Sequence, residues 1–173
     1  PALSSTAFAA ALAETISKHD QFVVAFTKDT ESALQLENEI RFFAPTDIDI
    51  LALPDWETLP YDLFSPHQDI ISQRIRTLST IKHTDRGLLI IPISTALHLL
   101  PPQNHLHGFS LLLKVGQRLK LDTYKLQMES AGYRHTDTVF EHGEYSQRGS
   151  ILDVFPMGSD NPYRIEFFDD EIE

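Results

Sequence analysis

The sequence predicts an α/β protein in two parts: a parallel-sheet domain, then a smaller α+β domain built around an antiparallel hairpin. Three observations predict it. Short, wholly apolar runs at 22–26 (FVVAF) and 87–91 (GLLII) have the character of strands buried on both faces of a parallel sheet. Segments of helical period stand between the strands, which is the order of a βαβ unit. Beyond Phe109 the pattern changes to short strands, one helix and a turn-rich hairpin, so the domains are expected at 1–106 and 107–173, the second stopping short at its C-terminus.

Taken in order, residues 4–18 form a helix with Phe8, Leu12 and Ile16 at four-residue spacing among alanines. The strand at 22–26 follows, then a helix over 30–43 with Ala33, Leu36, Ile40 and Phe43 on one face, then a strand at 47–52 (DIDILA). Residues 53–66, rich in proline and aromatics, form an ordered loop, with Trp56, Tyr61 and Phe64 expected to pack against the sheet. Ser65 is the expected N-cap of the next helix, with Pro66 at its first position and Gln68 completing a capping box. Ile70, Ile71, Arg74, Ile75 and Leu78 continue it. After the strand at 87–91 comes a short helix over 94–100, ended by Pro101-Pro102, and then the polar stretch QNHLHG. A strand is expected at 109–115 and a helix over 119–131, stopped by Gly132, with short strands beyond it.

The hairpin has one arm over 149–155 and the other over 163–168, with turn residues from Pro156 to Pro162 between. Strand side chains alternate between faces, which sets Tyr163, Ile165 and Phe167 toward a core and Arg164, Glu166 and Phe168 on the opposite face. Closing the hairpin brings Arg148 near Phe168 on the neighbouring strand. An arginine and an aromatic on a rigid strand face have the composition of a protein–protein hot spot. The plain alternative is a solvated face whose phenylalanine is covered by a helix of the same domain.

Composition narrows the chemistry. With no cysteine there is neither a disulfide framework nor a thiolate zinc site. A formal net charge of −11, with no run of Lys and Arg, disfavours direct contact with a polyanion. No apolar run reaches a membrane span and no basic segment precedes an apolar one at the N-terminus, so a cytoplasmic protein is expected. The chain stops at DDEIE directly after a strand, which reads as part of a longer protein.

A phosphate-binding loop would stand after the first strand. The turn Thr27-Lys28-Asp29-Thr30-Glu31 has no glycine, and two acids occupy the helix N-terminus where phosphates would go. His105 and His107 lack a third ligand at metal spacing, His67 at the second helical position has no nucleophile partner and reads as a surface residue, and Asp55, Glu57 and Asp69 read as loop and cap carboxylates. No nucleophile–base–oxyanion set assembles, so the chain is expected to be non-catalytic, with no cofactor and no metal of its own.

Residues 55–75 (DWETLPYDLFSPHQDIISQRI) and 143–173 (GEYSQRGSILDVFPMGSDNPYRIEFFDDEIE) resemble one family closely, the bacterial transcription-repair coupling factors. The resemblance extends over essentially the whole chain, as the N-terminal region of such a protein, a region similar to the excision-repair helicase subunit UvrB. It implies a degenerate helicase-like α/β domain (RecA-like, P-loop type) followed by a domain that binds UvrA, the damage-finding ATPase. A UvrB itself would carry a working phosphate loop after the first strand and a long aromatic hairpin in the region aligned with 59–69, and neither is present. The family's UvrA-contacting residues carry over to Arg148, Arg164 and Phe168. The resemblance further implies that ATP and magnesium serve a motor elsewhere in the parent, that RNA polymerase and DNA are engaged through other domains, and that a C-terminal domain masks the UvrA surface. Two other readings are a UvrB-like ATP-dependent DNA-handling enzyme and a structural domain that braces the translocase motor.

Overall fold

The computed structural model describes residues 4–59, 61–100, 102 and 113–173. The chain divides into two compact units, Pro1–Leu100 and Pro101–Glu173. His105, His107, the expected boundary at 106/107 and most of the expected strand at 109–115 lie outside the described residues.

In the first unit α1 (Ser5–Lys18), β1 (Phe22–Thr27), α2 (Thr30–Phe43), β2 (Asp49–Ala52), α3 (Gln68–Ile81), β3 (Gly87–Pro92) and a single turn, α4 (Ile93–Ala96), follow one another. The three strands form a parallel sheet in the order β1-β3-β2, with Val24 and Leu51 both in register with Leu89. Central β3 is buried at all six positions, as its unbroken apolar run requires. On one face Ala9, Ala13 and Ile16 of α1 and Ala33, Leu36 and Ile40 of α2 pack on Ile50, Leu88 and Ile90. On the other, Leu78 and Ile81 of α3 meet Leu51, Leu53, Leu89 and Ile91.

The structure departs from the sequence expectations in four places here. The buried face of α1 runs through Ala9 and Ala13 rather than Phe8, which is half-exposed, because small side chains let α1 and α2 approach closely. Helix α3 starts at Gln68 and its cap is His67, whose Nδ1 accepts from the Asp69 amide at 3.3 Å, so the Ser65 capping box does not form. A residue ahead of proline is driven toward extended backbone, and the chain stays extended as far as His67 (ψ 142°) before it coils. Strand β2 begins at Asp49, and the helix expected over 94–100 closes after Ala96.

In the second unit α5 (Leu121–Ser130) is followed by β4 (Arg134–His135), β5 (Glu144–Arg148), β6 (Ile151–Phe155), β7 (Tyr163–Phe168) and β8 (Glu171–Ile172). They form one sheet in sequence order, β4 parallel to β5 and the rest antiparallel. Residues 116–119 extend it past β8: the Gly116 amide donates to the Ile172 carbonyl at 2.7 Å and the Leu119 amide to that of Asp170 at 2.6 Å. Leu119 is thereby drawn into sheet pairing, and α5 starts later than its period predicts. Gly132, at φ 88°, ends the helix in the left-handed conformation expected of it. Helix α5 lays Tyr124 and Met128 on the inner face of the sheet, against Tyr145, Leu152, Val154, Phe167 and Ile172.

Candidate functional site

The alternation along β6 and β7 sorts the sheet into two faces. Leu152 pairs with Ile165, and Val154 with Tyr163; apart from Tyr163, which is exposed, this side is core. The opposite side carries the row Ser146–Asp153–Arg164, with Arg148–Ile151–Glu166 next to it and Phe168 beside Glu171 beyond. Arg164, Glu166 and Phe168 are all exposed, Phe168 at 72%. A phenylalanine left that open on a sheet face is not packed under a helix of its own unit among the described residues.

Arg164 is held from below. Its Nε donates to Asp153 Oδ1 at 2.7 Å and its Nη2 to Oδ2 at 2.8 Å, a two-point fork across the β6–β7 pair. The Arg164 bond, with a further pull from Arg148, keeps the Asp153 carboxyl below its ordinary range despite partial burial. The fork uses one edge of the guanidinium and leaves Nη1 out of it.

Arg148 is not on the strand next to Phe168. It lies on β5, paired with Ile151, and β6 separates it from Arg164. The cause is a two-residue turn: Gly149, at φ 61°, reverses the chain at once, so the residues ahead of the 149–155 arm form a strand of their own instead of continuing it. The Arg148 Nη2 donates to the Asp137 carbonyl at 2.7 Å and reaches Thr138 Oγ1 at 3.4 Å. Two strand spacings put it about 10 Å to one side of β7. Arg164 and Phe168 do share a face of one strand, roughly 13 Å apart along it. Sequence reasoning passed over Asp153 as a site residue; its signal was its place opposite Arg164 in the hairpin register.

The segment folded over the β5 end of this face is fixed by that strand's outward side chains. Buried Glu144 accepts from the amides of Phe140 (2.9 Å) and Glu141 (3.0 Å) and from Arg134 Nη2 (2.6 Å). Ser146 Oγ donates to the Asp137 carbonyl at 3.1 Å. Burial works to raise the Glu144 carboxyl, but the two amides and Arg134 outweigh it and the group lies below its ordinary value.

The other sequence candidates are structural. Asp29 caps α2, its Oδ1 accepting from the Ser32 hydroxyl (2.6 Å) and amide (2.9 Å), which with Lys28 lower its pKa to about 2. Asp55 accepts from Ser94 Oγ at 2.6 Å and Thr95 Oγ1 at 3.2 Å, and from the Glu57 amide. Arg74 is buried with its guanidinium 4.1 Å from the Trp56 ring centre and a bond to the Pro54 carbonyl. Trp56 is thus held by Arg74, whereas Tyr61 and Phe64 stand exposed and do not pack on the sheet as expected. Among the described residues no cluster of three metal-ligating side chains occurs, and no helix is long and apolar enough to cross a membrane.

Residues 111–173 match the model of the UvrB interaction domain family. Along 99% of its length the chain is 51% identical to the transcription-repair-coupling factor of Escherichia coli K12, of which it covers 15%. It is 46% identical to that of Haemophilus influenzae Rd over 95% of the chain and 14% of the relative, and 29% identical to that of Staphylococcus epidermidis over 99% and 14%. The chain therefore spans about a seventh of the length of these curated relatives. It belongs among the transcription-repair coupling factors, as the stretch of them that carries a UvrB interaction domain.

Proposed function

We propose that this chain is the UvrA-recruiting module of a transcription-repair coupling factor, the part that links a stalled RNA polymerase to nucleotide excision repair. One observation carries the reading: within the segment that matches a UvrB interaction domain, a five-stranded sheet displays Arg164 and Phe168 together, exposed, on the face that the core does not use. Arg148 borders the same surface from β5. A fixed guanidinium beside an open aromatic suits a partner with acidic groups and an apolar pocket.

The first unit, in this reading, is a degenerate helicase-like domain of RecA-like ancestry that no longer handles nucleotide. Asp29 supports it, since an ionised carboxylate occupies the α2 N-terminus where a phosphate would need free amides. The module is non-catalytic and without cofactor. ATP and magnesium belong to the parent's motor, RNA polymerase and DNA are met by other domains, and a C-terminal domain of the parent masks the surface until the factor engages polymerase. The setting is cytoplasmic.

Calorimetric titration of the chain into purified UvrA tests the assignment. Phe168→Ala and Arg164→Ala should each cost about 2 kcal/mol or more of binding, roughly thirtyfold in affinity, with the melting temperature unchanged. Wild-type affinity in both variants would falsify it.

A further inference from the structure

Resting on that reading, we infer that Glu166 is a specificity residue of the same surface and that the partner presents a cationic side chain opposite it. Glu166 lies between the two anchors on one strand face: Arg164, Glu166 and Phe168 are alternate residues of β7, all exposed. Same-face neighbours on a strand are about 7 Å apart. A surface that touches Arg164 and also seats Phe168 must pass directly over the Glu166 carboxylate and strip its water.

Among the described residues no ion pair at contact distance compensates for that loss, only the nearby charge of Arg164. Among the described residues no hydrogen bond ties the Glu166 carboxylate down. Arg164 is near enough to feel its charge, but its Nε hydrogen and one Nη2 hydrogen are committed to Asp153, and among the described residues none of its remaining hydrogens is bonded to Glu166. A carboxylate desolvated without a partner opposes association more strongly than a typical contact favours it. The partner therefore supplies an arginine or lysine at this point. The surface it offers reads, along the β7 direction, as acidic group, basic group, apolar pocket, spanning roughly 13 Å. Such an order discriminates. A uniformly acidic surface would satisfy Arg164 and be repelled by Glu166, and the Phe168 row carries a second carboxylate, Glu171, on the same face.

The test adds Glu166→Gln and Glu166→Lys to the UvrA titration, beside Arg164→Ala and Phe168→Ala, with melting temperatures recorded for all. Glu166→Gln should weaken binding several-fold, and Glu166→Lys about tenfold or more, because it sets like charges face to face. Equal or tighter binding by Glu166→Gln, with the Arg164 and Phe168 variants weakened, would overturn this inference and leave the recruitment surface standing. Full affinity in the Arg164 and Phe168 variants would remove both together. Should Glu166→Lys melt early, the isosteric Glu166→Gln decides alone.

Discussion

Glu144, Ser146 and Arg148 point the same way from β5, and each bonds to the segment folded over them. Glu144 carries the most, since it satisfies two amides and a guanidinium from a buried position. Replacing it with alanine leaves those donors without an acceptor and should lower stability by about 1–3 kcal/mol, read as a shift in the urea midpoint. Its pH dependence has a definite sign. A carboxyl whose folded pKa is depressed contributes stability above its ordinary value and loses it as pH falls through the depressed one. For Glu144 that loss begins below its ordinary 4.5, so Glu144→Gln should be less stable than wild type at neutral pH and the gap should narrow in acid. Asp29 acts in the same direction toward its value of about 2. The Glu144 role was not legible in the sequence, because a Glu after a Gly-containing loop gives no sign that its oxygens will meet two amides. Asp29 was legible as an acid at the helix N-terminus, the position from which it caps α2.

At the scale of elements the period-two rule sorted β7 between its two faces, because a buried face imposes strict alternation on a strand. What alternation could not reveal was the turn at Gly149. The run EYSQRGSILDVF holds none of the Asn-Gly or Asp-Gly pairs that advertise a two-residue hairpin, so β5 went unrecognised and Arg148 was set at the end of the 149–155 arm, beside the wrong strand. Gly149 has open space where a Cβ would go, so its φ of 61° is the whole constraint. Gly149→Ala should therefore destabilise by about 1 kcal/mol, with no steric penalty added, and a thermal melt measures it. The start of α3 was missed for a related reason. Ser-Pro-His-Gln satisfies the spacing of a capping box, yet extended backbone as far as His67 moves the cap onto an imidazole.

For the molecule as a whole, the layered α/β plan and the antiparallel second unit were readable because apolar runs and turn clusters are dictated by burial and backbone chemistry. The exposed Tyr61 and Phe64 were not, since an aromatic loop carries the same composition whether it packs or projects. A net charge of −11 makes the chain a poor ligand for any polyanion. At about 150 mM salt, where charges are screened beyond about 8 Å, a short fluorescent duplex DNA should show no saturable anisotropy change on titration. Saturable binding would contradict the assignment of DNA contact to other parts of the parent.

Arg164, Glu166 and Phe168 stand on one arm of a hairpin whose other arm, β6, supplies Asp153, so the central elements of the surface are contiguous in the chain. The proposed recognition unit is in that sense portable. A free hairpin is marginally stable in water, but closing 151–168 into a ring replaces the support that neighbouring strands give. Such a macrocycle would display the acid-tethered arginine, the carboxylate and the open phenylalanine in their native order. It is a template for a competitor that occupies the partner's face while leaving the rest of the coupling factor untouched.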